Sequence, residues 1–164
     1  MRTLVLYFST TGHTKTVATL LAEKLGADLG EIRCPSYHTW LGWPAMARDI
    51  FARRRPLIEV PAPVSGDYDL VVLGGSVWAG RPAPPIVSYL TGAGQSQSRY
   101  AVFVTCGGTN PKYPPEAALA EIVALASGPV AATCVFSEAQ IAADTLRSDV
   151  AEFAKRLRQP LAAG

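Results

Sequence analysis

The residues best suited to chemistry in this sequence are a run of hydroxyls near its start. Ser9-Thr10-Thr11-Gly12-His13-Thr14 follows directly on the apolar stretch TLVLYF, residues 3–8, and precedes a helical pattern. A strand that turns sharply into a helix brings free backbone N–H groups and the positive end of the helix dipole to one point. Such a turn holds a phosphate without a cationic side chain. Ser9, Thr10, Thr11 and Thr14 add four hydroxyl donors, and Gly12 lets the backbone approach closely. An ordinary helix N-cap also uses Ser and Thr, so the density of hydroxyls and the place after the first strand carry the phosphate reading.

Several other chemistries fail on named residues. No G-x-x-x-x-G-K-[ST] segment and no G-x-G-x-x-G follows the first strand, which argues against nucleotide hydrolysis and a dinucleotide fingerprint. A phospho-acceptor domain wants acids at the ends of its first and third strands, where this chain has Tyr7-Phe8 and Gly74-Gly75. Gly74-Gly75-Ser76-Val77-Trp78 puts tryptophan where a nucleophile elbow needs its last glycine. His13 and His38 are the two histidines, and neither has an evident acid partner for a hydrolase triad. No side chain is expected to act as an acid, base or nucleophile, and no metal site is expected.

Two further loops are rich in glycine and hydroxyls. DLVVLGG at 69–75 runs into Ser76-Val77-Trp78-Ala79-Gly80, and YAVFVTCGG at 100–108 includes Thr105, Cys106, Gly107 and Gly108, with Thr109 following. Trp78 between small residues suits stacking on a flat ring. The last loop offers backbone N–H groups. Cys106 reads more simply as a small buried hydrophobe.

The elements that must position these loops are legible in the hydrophobic pattern. The three apolar runs are continuous rather than alternating, as in strands covered on both faces. ADLGEIR at 27–33 and GPVAATCVF at 128–136 are two more strand candidates. Val17, Leu20, Leu21 and Leu25 recur at helical spacing, with Gly26 as a stop. Residues 84–91 and 115–126 read as helices begun by proline. Leu146, Val150, Phe153 and Leu157 mark a last helix, with Asp144 as the expected N-cap and Pro160 beyond its end. Strands alternating with helices imply an α/β fold with a parallel sheet and helices on both faces. The strand C-termini then share one edge, where ligands bind at the point of chain reversal.

These motifs resemble the flavodoxin family. Ser9-Thr10-Thr11-Gly12-His13-Thr14 is similar to that family's T/S-x-T-G-x-T phosphate loop, and residues 69–80 resemble its third strand and flavin-stacking loop. The resemblance spans nearly the whole chain in order of elements. It implies a three-layer, doubly wound fold with a five-stranded parallel sheet in the order 2-1-3-4-5, and FMN as cofactor. It further implies that residues 9–14 hold the FMN phosphate and that Trp78 covers one face of the ring. Ser76, Val77, Ala79 and Gly80 would flank the flavin, and residues 105–109 would meet its pyrimidine edge. The expected function is electron transfer through a non-covalently bound flavin. The alternatives are an NAD(P)H-dependent quinone reductase and a module of this shape that binds without a cofactor.

The chain departs from the family in charge. Electron-carrier flavodoxins are strongly acidic, whereas fifteen Lys and Arg against thirteen Asp and Glu give +2 here. Arg48, Arg53, Arg54 and Arg55 fall in one segment with Asp49 as the nearby acid. They read either as a solvated helix face or as a site for an acidic redox protein or NAD(P)H phosphates. The aromatic-rich stretch 36–51 lies in an insert at about 34–66, in which roughly 44–54 fits an amphipathic helix and the rest reads as extended. It is expected to cover the sheet edge or to serve as a lid or dimer contact. His13 either caps the phosphate or faces solvent.

Length and composition bound the rest. The 164 residues suit a single domain, and 49% hydrophobic against 17% charged residues suits a packed core rather than disorder. The near-neutral charge points away from a nucleic-acid partner. Three widely spaced cysteines without a C-x-x-C argue against a zinc ribbon or a disulfide scaffold. With no apolar run long enough for a signal peptide or a membrane span, a cytoplasmic protein without a membrane partner is expected. A redox protein or a small-molecule electron acceptor is the expected partner.

Overall fold

Strands built from continuous apolar runs must be covered on both faces, and the sheet shows how this chain does it. The structure, a computed structural model, describes residues 1–61, 68–92, 98–108 and 110–158. Five strands run parallel: β1 (Thr3–Tyr7), β2 (Asp28–Glu31), β3 (Leu70–Trp78), β5 (Arg99–Cys106) and β6 (Val130–Ser137), in the order β2-β1-β3-β5-β6. A sixth, the two-residue β4 (Arg81–Pro82), pairs antiparallel with the end of β3. The expected five-strand order is therefore present, with a short ribbon added where β3 runs on past Gly75 to Trp78.

Side chains alternate across this sheet because the strand period is two. Leu4, Leu6, Val71, Leu73, Val102 and Val104 face one core, which is closed by α3 (Pro84–Thr91) and α4 (Pro115–Leu125). Val5, Tyr7, Val72, Ala101 and Phe103 face the other, closed by α1 (His13–Leu25) and α6 (Leu146–Arg158). β1 has β2 on one side and β3 on the other, so chain order reverses there and the turns after β1 and β3 open onto the same crevice.

Three details differ from the sequence reading. A short helix, α5 (Glu138–Ala142), follows β6 directly. Ser137 and Gln140 form a reciprocal capping box that starts it, the S-x-x-Q signature being present in the sequence. Asp144 is not the cap of α6. The Thr145 carbonyl accepts the Asp149 N–H at 3.0 Å, which makes Thr145 the residue at which the helix begins. The insert holds the expected helix, as α2 (Gly42–Phe51), but the rest is less extended than expected: Pro35–Tyr37 is a 3-10 turn, and Arg33 pairs with Glu59 in an isolated antiparallel bridge. Pro160 and residues 62–66 of the insert lie outside the described residues.

The consecutive glycines of β3 have a steric cause. Gly74 pairs with Phe103 on β5, and a Cβ at Gly74 would sit 2.1 Å from the Phe103 ring. That ring meets Phe136 edge-on at 6.2 Å, and Phe136 meets Phe153 at 6.4 Å. The packed aromatic series thus fills the space a side chain at Gly74 would need. We expect Gly74→Ala to destabilise the fold by roughly 1–3 kcal/mol through overpacking. Urea unfolding measures this, and an unchanged midpoint would contradict it.

Candidate functional site

The turn after β1 is built to leave donors unpaired. The Phe8 N–H still bonds the Gly74 carbonyl at 3.0 Å, so sheet pairing ends at that residue. Gly12 then takes φ 95° and becomes the N-cap of α1 without offering a capping side chain. Its own N–H is met by Ser9 Oγ at 3.1 Å, and its carbonyl accepts the first helical N–H, from Thr16, at 2.9 Å. The N–H groups of His13, Thr14 and Lys15 in the first turn donate to no acceptor among the described residues, as helix geometry dictates. No acidic residue occupies this first turn.

Thr14 and Thr105 tie two of the expected loops together. Both are buried, and their hydroxyls lie 2.7 Å apart. This bond fixes the start of α1 to the end of β5. One of the two hydroxyls must donate in it, and each keeps acceptor capacity. Next to Thr105 in register lies Ser76, whose Oγ is buried and has no partner among the described residues. A buried unpaired hydroxyl costs free energy, and a polar ligand atom would satisfy it.

Trp78 ends β3, and the turn that follows is tight. Ala79 and Gly80 have φ 50° and 73°, so both residues of the β3–β4 hairpin are left-handed. This is the two-residue connection that matches strand twist, yet its first position holds alanine rather than a residue that favours that region. Trp78 is half-buried and lies 6.2 Å from Phe8 and 6.4 Å from Tyr37, ring to ring.

These parts open onto one cleft of about 610 Å³. Ser9, Thr10 and Thr11 form one end, and Phe8, Trp78 and Ala79 form a side. The rest of the lining comes from the insert: Tyr37, whose ring packs against Phe8 and Trp78, and His38, Trp43, Met46, Ala47, Ile50 and Phe51. Of the residues singled out from sequence, Ser9, Thr10, Thr11, Trp78 and Ala79 are therefore brought together. Gly12, His13, Thr14, Ser76, Val77, Gly80, Thr105 and Cys106 lie behind or beside them rather than on the cleft wall. Gly107 and Gly108 are exposed, and Thr109 lies outside the described residues. His13 is half-exposed, with Nδ1 3.4 Å from Glu138 Oε1. Burial pushes the Cys106 thiol up, which keeps it neutral and unreactive.

The insert's contribution was not visible in the motifs. α2 buries Asp49, which is 1% exposed, and turns its apolar residues toward the cleft. The Asp49 carboxylate accepts from Tyr37 Oη at 3.1 Å on one oxygen, and from Arg48 Nε and Nη2 at 2.9 and 2.8 Å on the other. This clip fixes the helix and the Tyr37 ring together. Burial, then the Asp49 charge, pushes the Tyr37 phenol far above its ordinary range, so it stays a donor. The signal in the sequence is Asp49 itself, a lone acid on an otherwise apolar and basic helix.

A family model described as flavodoxin matches residues 2–118, and the chain belongs to the flavodoxin family. The fold is also that of several solved structures. A Lactobacillus acidophilus flavoprotein solved in complex with FMN shares 24% identity, with 90% of this chain and 96% of that one covered and a TM-score of 0.70. A Bacteroides eggerthii flavoprotein shares 20% over 97% and 99%, with a TM-score of 0.73. A WrbA-like flavodoxin of Agrobacterium tumefaciens shares 18% over 96% and 98%, with a TM-score of 0.55.

Tyr37→Phe removes one of the three bonds to a buried carboxylate without changing the ring. We expect a loss of roughly 1–3 kcal/mol in stability, read from denaturant midpoints. A midpoint within error of the parent would show that the clip does not hold the insert.

Proposed function

We propose that this chain binds FMN non-covalently and passes electrons through it. The observation that carries the reading is the set of unpaired amides at the start of α1, opening beside an aromatic-walled cleft. The residues fit the nucleotide on two counts. The phosphate end has backbone N–H donors at a helix N-terminus, with the hydroxyls of Thr10 and Thr11 on the cleft wall. The ring end has Trp78 and the apolar face of α2 on the lining of one cleft, within the usual volume of ligand sites, roughly 300–1,000 Å³. The buried Ser76 hydroxyl adds a polar atom without a partner among the described residues, close to the strand end that carries Trp78.

When bound, the flavin supplies the redox chemistry, and the protein supplies binding, orientation and field. Ser9, Thr10 and Thr11 would meet the phosphate. Trp78 would stack on the ring, and the apolar residues of α2 would cover it and exclude water. No residue on the cleft wall carries a fixed charge, so orientation rests on dipoles and stacking. The three cysteines are free, which suits a reducing cytoplasm.

Electron carriage is the favoured form. A quinone reductase of NAD(P)H is the second reading, and the apolar wall of Met46, Ile50 and Phe51 favours it, since that wall suits a flat apolar acceptor.

FMN titrated into the purified protein is expected to lose its free emission as Trp78 stacks on it. A protein that leaves FMN emission unchanged would be a binding module without this cofactor. With FMN bound, consumption of NADPH in the presence of menadione selects the reductase, and its absence selects the carrier.

Trp78→Ala is expected to weaken FMN by roughly 1–3 kcal/mol, measured by the same titration. Thr11→Asp should abolish binding, because it sets a carboxylate against the phosphate. Retained affinity in that variant would place the phosphate elsewhere.

A further inference from the structure

α2 leaves large apolar side chains exposed at the rim of the cleft: Trp43 is 80% exposed and Phe51 77%, and Trp40 in the preceding turn is 91% exposed, while of its two charged residues Arg48 is exposed and Asp49 buried. Exposed apolar residues grouped in this way mark a contact surface. In sequence the charge around them is mostly basic: Asp49 is the only acid between residues 38 and 58, and it is buried and matched by Arg48, while Glu59 and Glu121 border the grooves that the following arginines line. Arg53, Arg54 and Arg55 are exposed and have no ion pair among the described residues.

The arginines are also set by backbone geometry. The Arg54 N–H bonds the Asp49 carbonyl at 2.9 Å, which closes α2 with the six-to-one bond of a Schellman end. Arg53 then sits at the left-handed position, φ 50°, where glycine is the usual residue. A strained position holding a cation directs the run of three away from the helix and into solvent.

We propose that this face docks on an anionic lipid surface. Exposed tryptophan and phenylalanine at the rim of the cleft, with Trp40, Leu41 and Leu57 exposed outside it and unpaired arginines beside them, are the composition of an interfacial segment. Chain-wide charge gives no hint of such a partner; the placement of these residues does. No helix among the described residues is long and apolar enough to cross the lipid. The cleft opens on the same helix, so docking would present its mouth to apolar molecules dissolved in the lipid. The docking itself does not depend on the flavin reading.

The test is co-sedimentation with vesicles of phosphatidylcholine, with and without phosphatidylglycerol, at low and at about 0.1 M salt. Binding is expected to the anionic vesicles alone, weakened by salt, with tryptophan emission shifted to the blue. Arg53→Glu, Arg54→Glu and Arg55→Glu together should weaken it on the order of a hundredfold or more. Trp40→Ser with Leu41→Ser, both outside the cleft wall, should weaken it and reduce the emission shift. No binding to anionic vesicles at low salt would overturn the proposal. So would binding that needs the arginines but ignores the Trp40 and Leu41 changes, which would mark the face as a site for an acidic protein. FMN titration of the same samples separates the two readings: a protein that takes FMN but not vesicles fails only this one.

Discussion

The first turn of α1 holds N–H groups that its own chain cannot satisfy, and most of the architecture is arranged around that fact. β1 ends at Phe8, Gly12 takes the left-handed region, and the helix starts without a capping side chain. At φ 95° position 12 suits glycine and strains any other residue, so no capping side chain is set there and the donors are left open. The Thr14–Thr105 bond then fixes the turn to the sheet edge, so the donors point from a rigid base.

The insert's part of the cleft depends on a different constraint, the burial of one carboxylate. Asp49 would be costly to bury alone. Its two oxygens are met by Tyr37 and Arg48, which ties the 3-10 turn and α2 into a unit. Facing Asp49 inward fixes the rotation of α2, and with it the outward and cleft-ward placement of Trp43, Met46, Ile50 and Phe51. One buried ion pair therefore sets both the apolar side of the cleft and the aromatic surface beside it.

The parallel sheet and the helices that cover it were legible because burial on both faces writes itself as continuous apolar runs, and helical faces as a 3.6-residue period. The turn after β1 was legible as a strand-to-helix junction because an apolar run ends there and a glycine and helical spacing follow, and Gly12 is its left-handed residue. The insert was legible only in its helix, expected at roughly 44–54 and present as α2. How that helix is held depends on Asp49 pairing with Tyr37 twelve residues away, and no periodicity announces such a contact. The α5 capping box was visible as Ser137-Glu138-Ala139-Gln140, but a helix of five residues has too short a pattern to stand out. Asp144 attracted the N-cap reading by residue type alone, whereas the carbonyl geometry starts α6 from Thr145.

Charge placement joins these parts. Lys15 is the one cation in the first turn of α1, and it lines a separate groove with Glu23 and Arg147 rather than the cleft. His13 is turned toward Glu138. The arginines of the insert gather at the C-terminal end of α2, beyond the cleft wall, where Arg81 also bonds the Ile50 carbonyl. The cleft wall therefore has dipoles at one end and apolar side chains along both sides, with fixed charge kept outside it. An anion held by amides alone keeps most of its own negative field, because dipoles offset charge only over short range. A redox ring beside it would feel that field, and taking up an electron there would be harder than beside a phosphate neutralised by lysine. A phosphate held at that turn without a cation would thus hold the reduction potential of the neighbouring ring down.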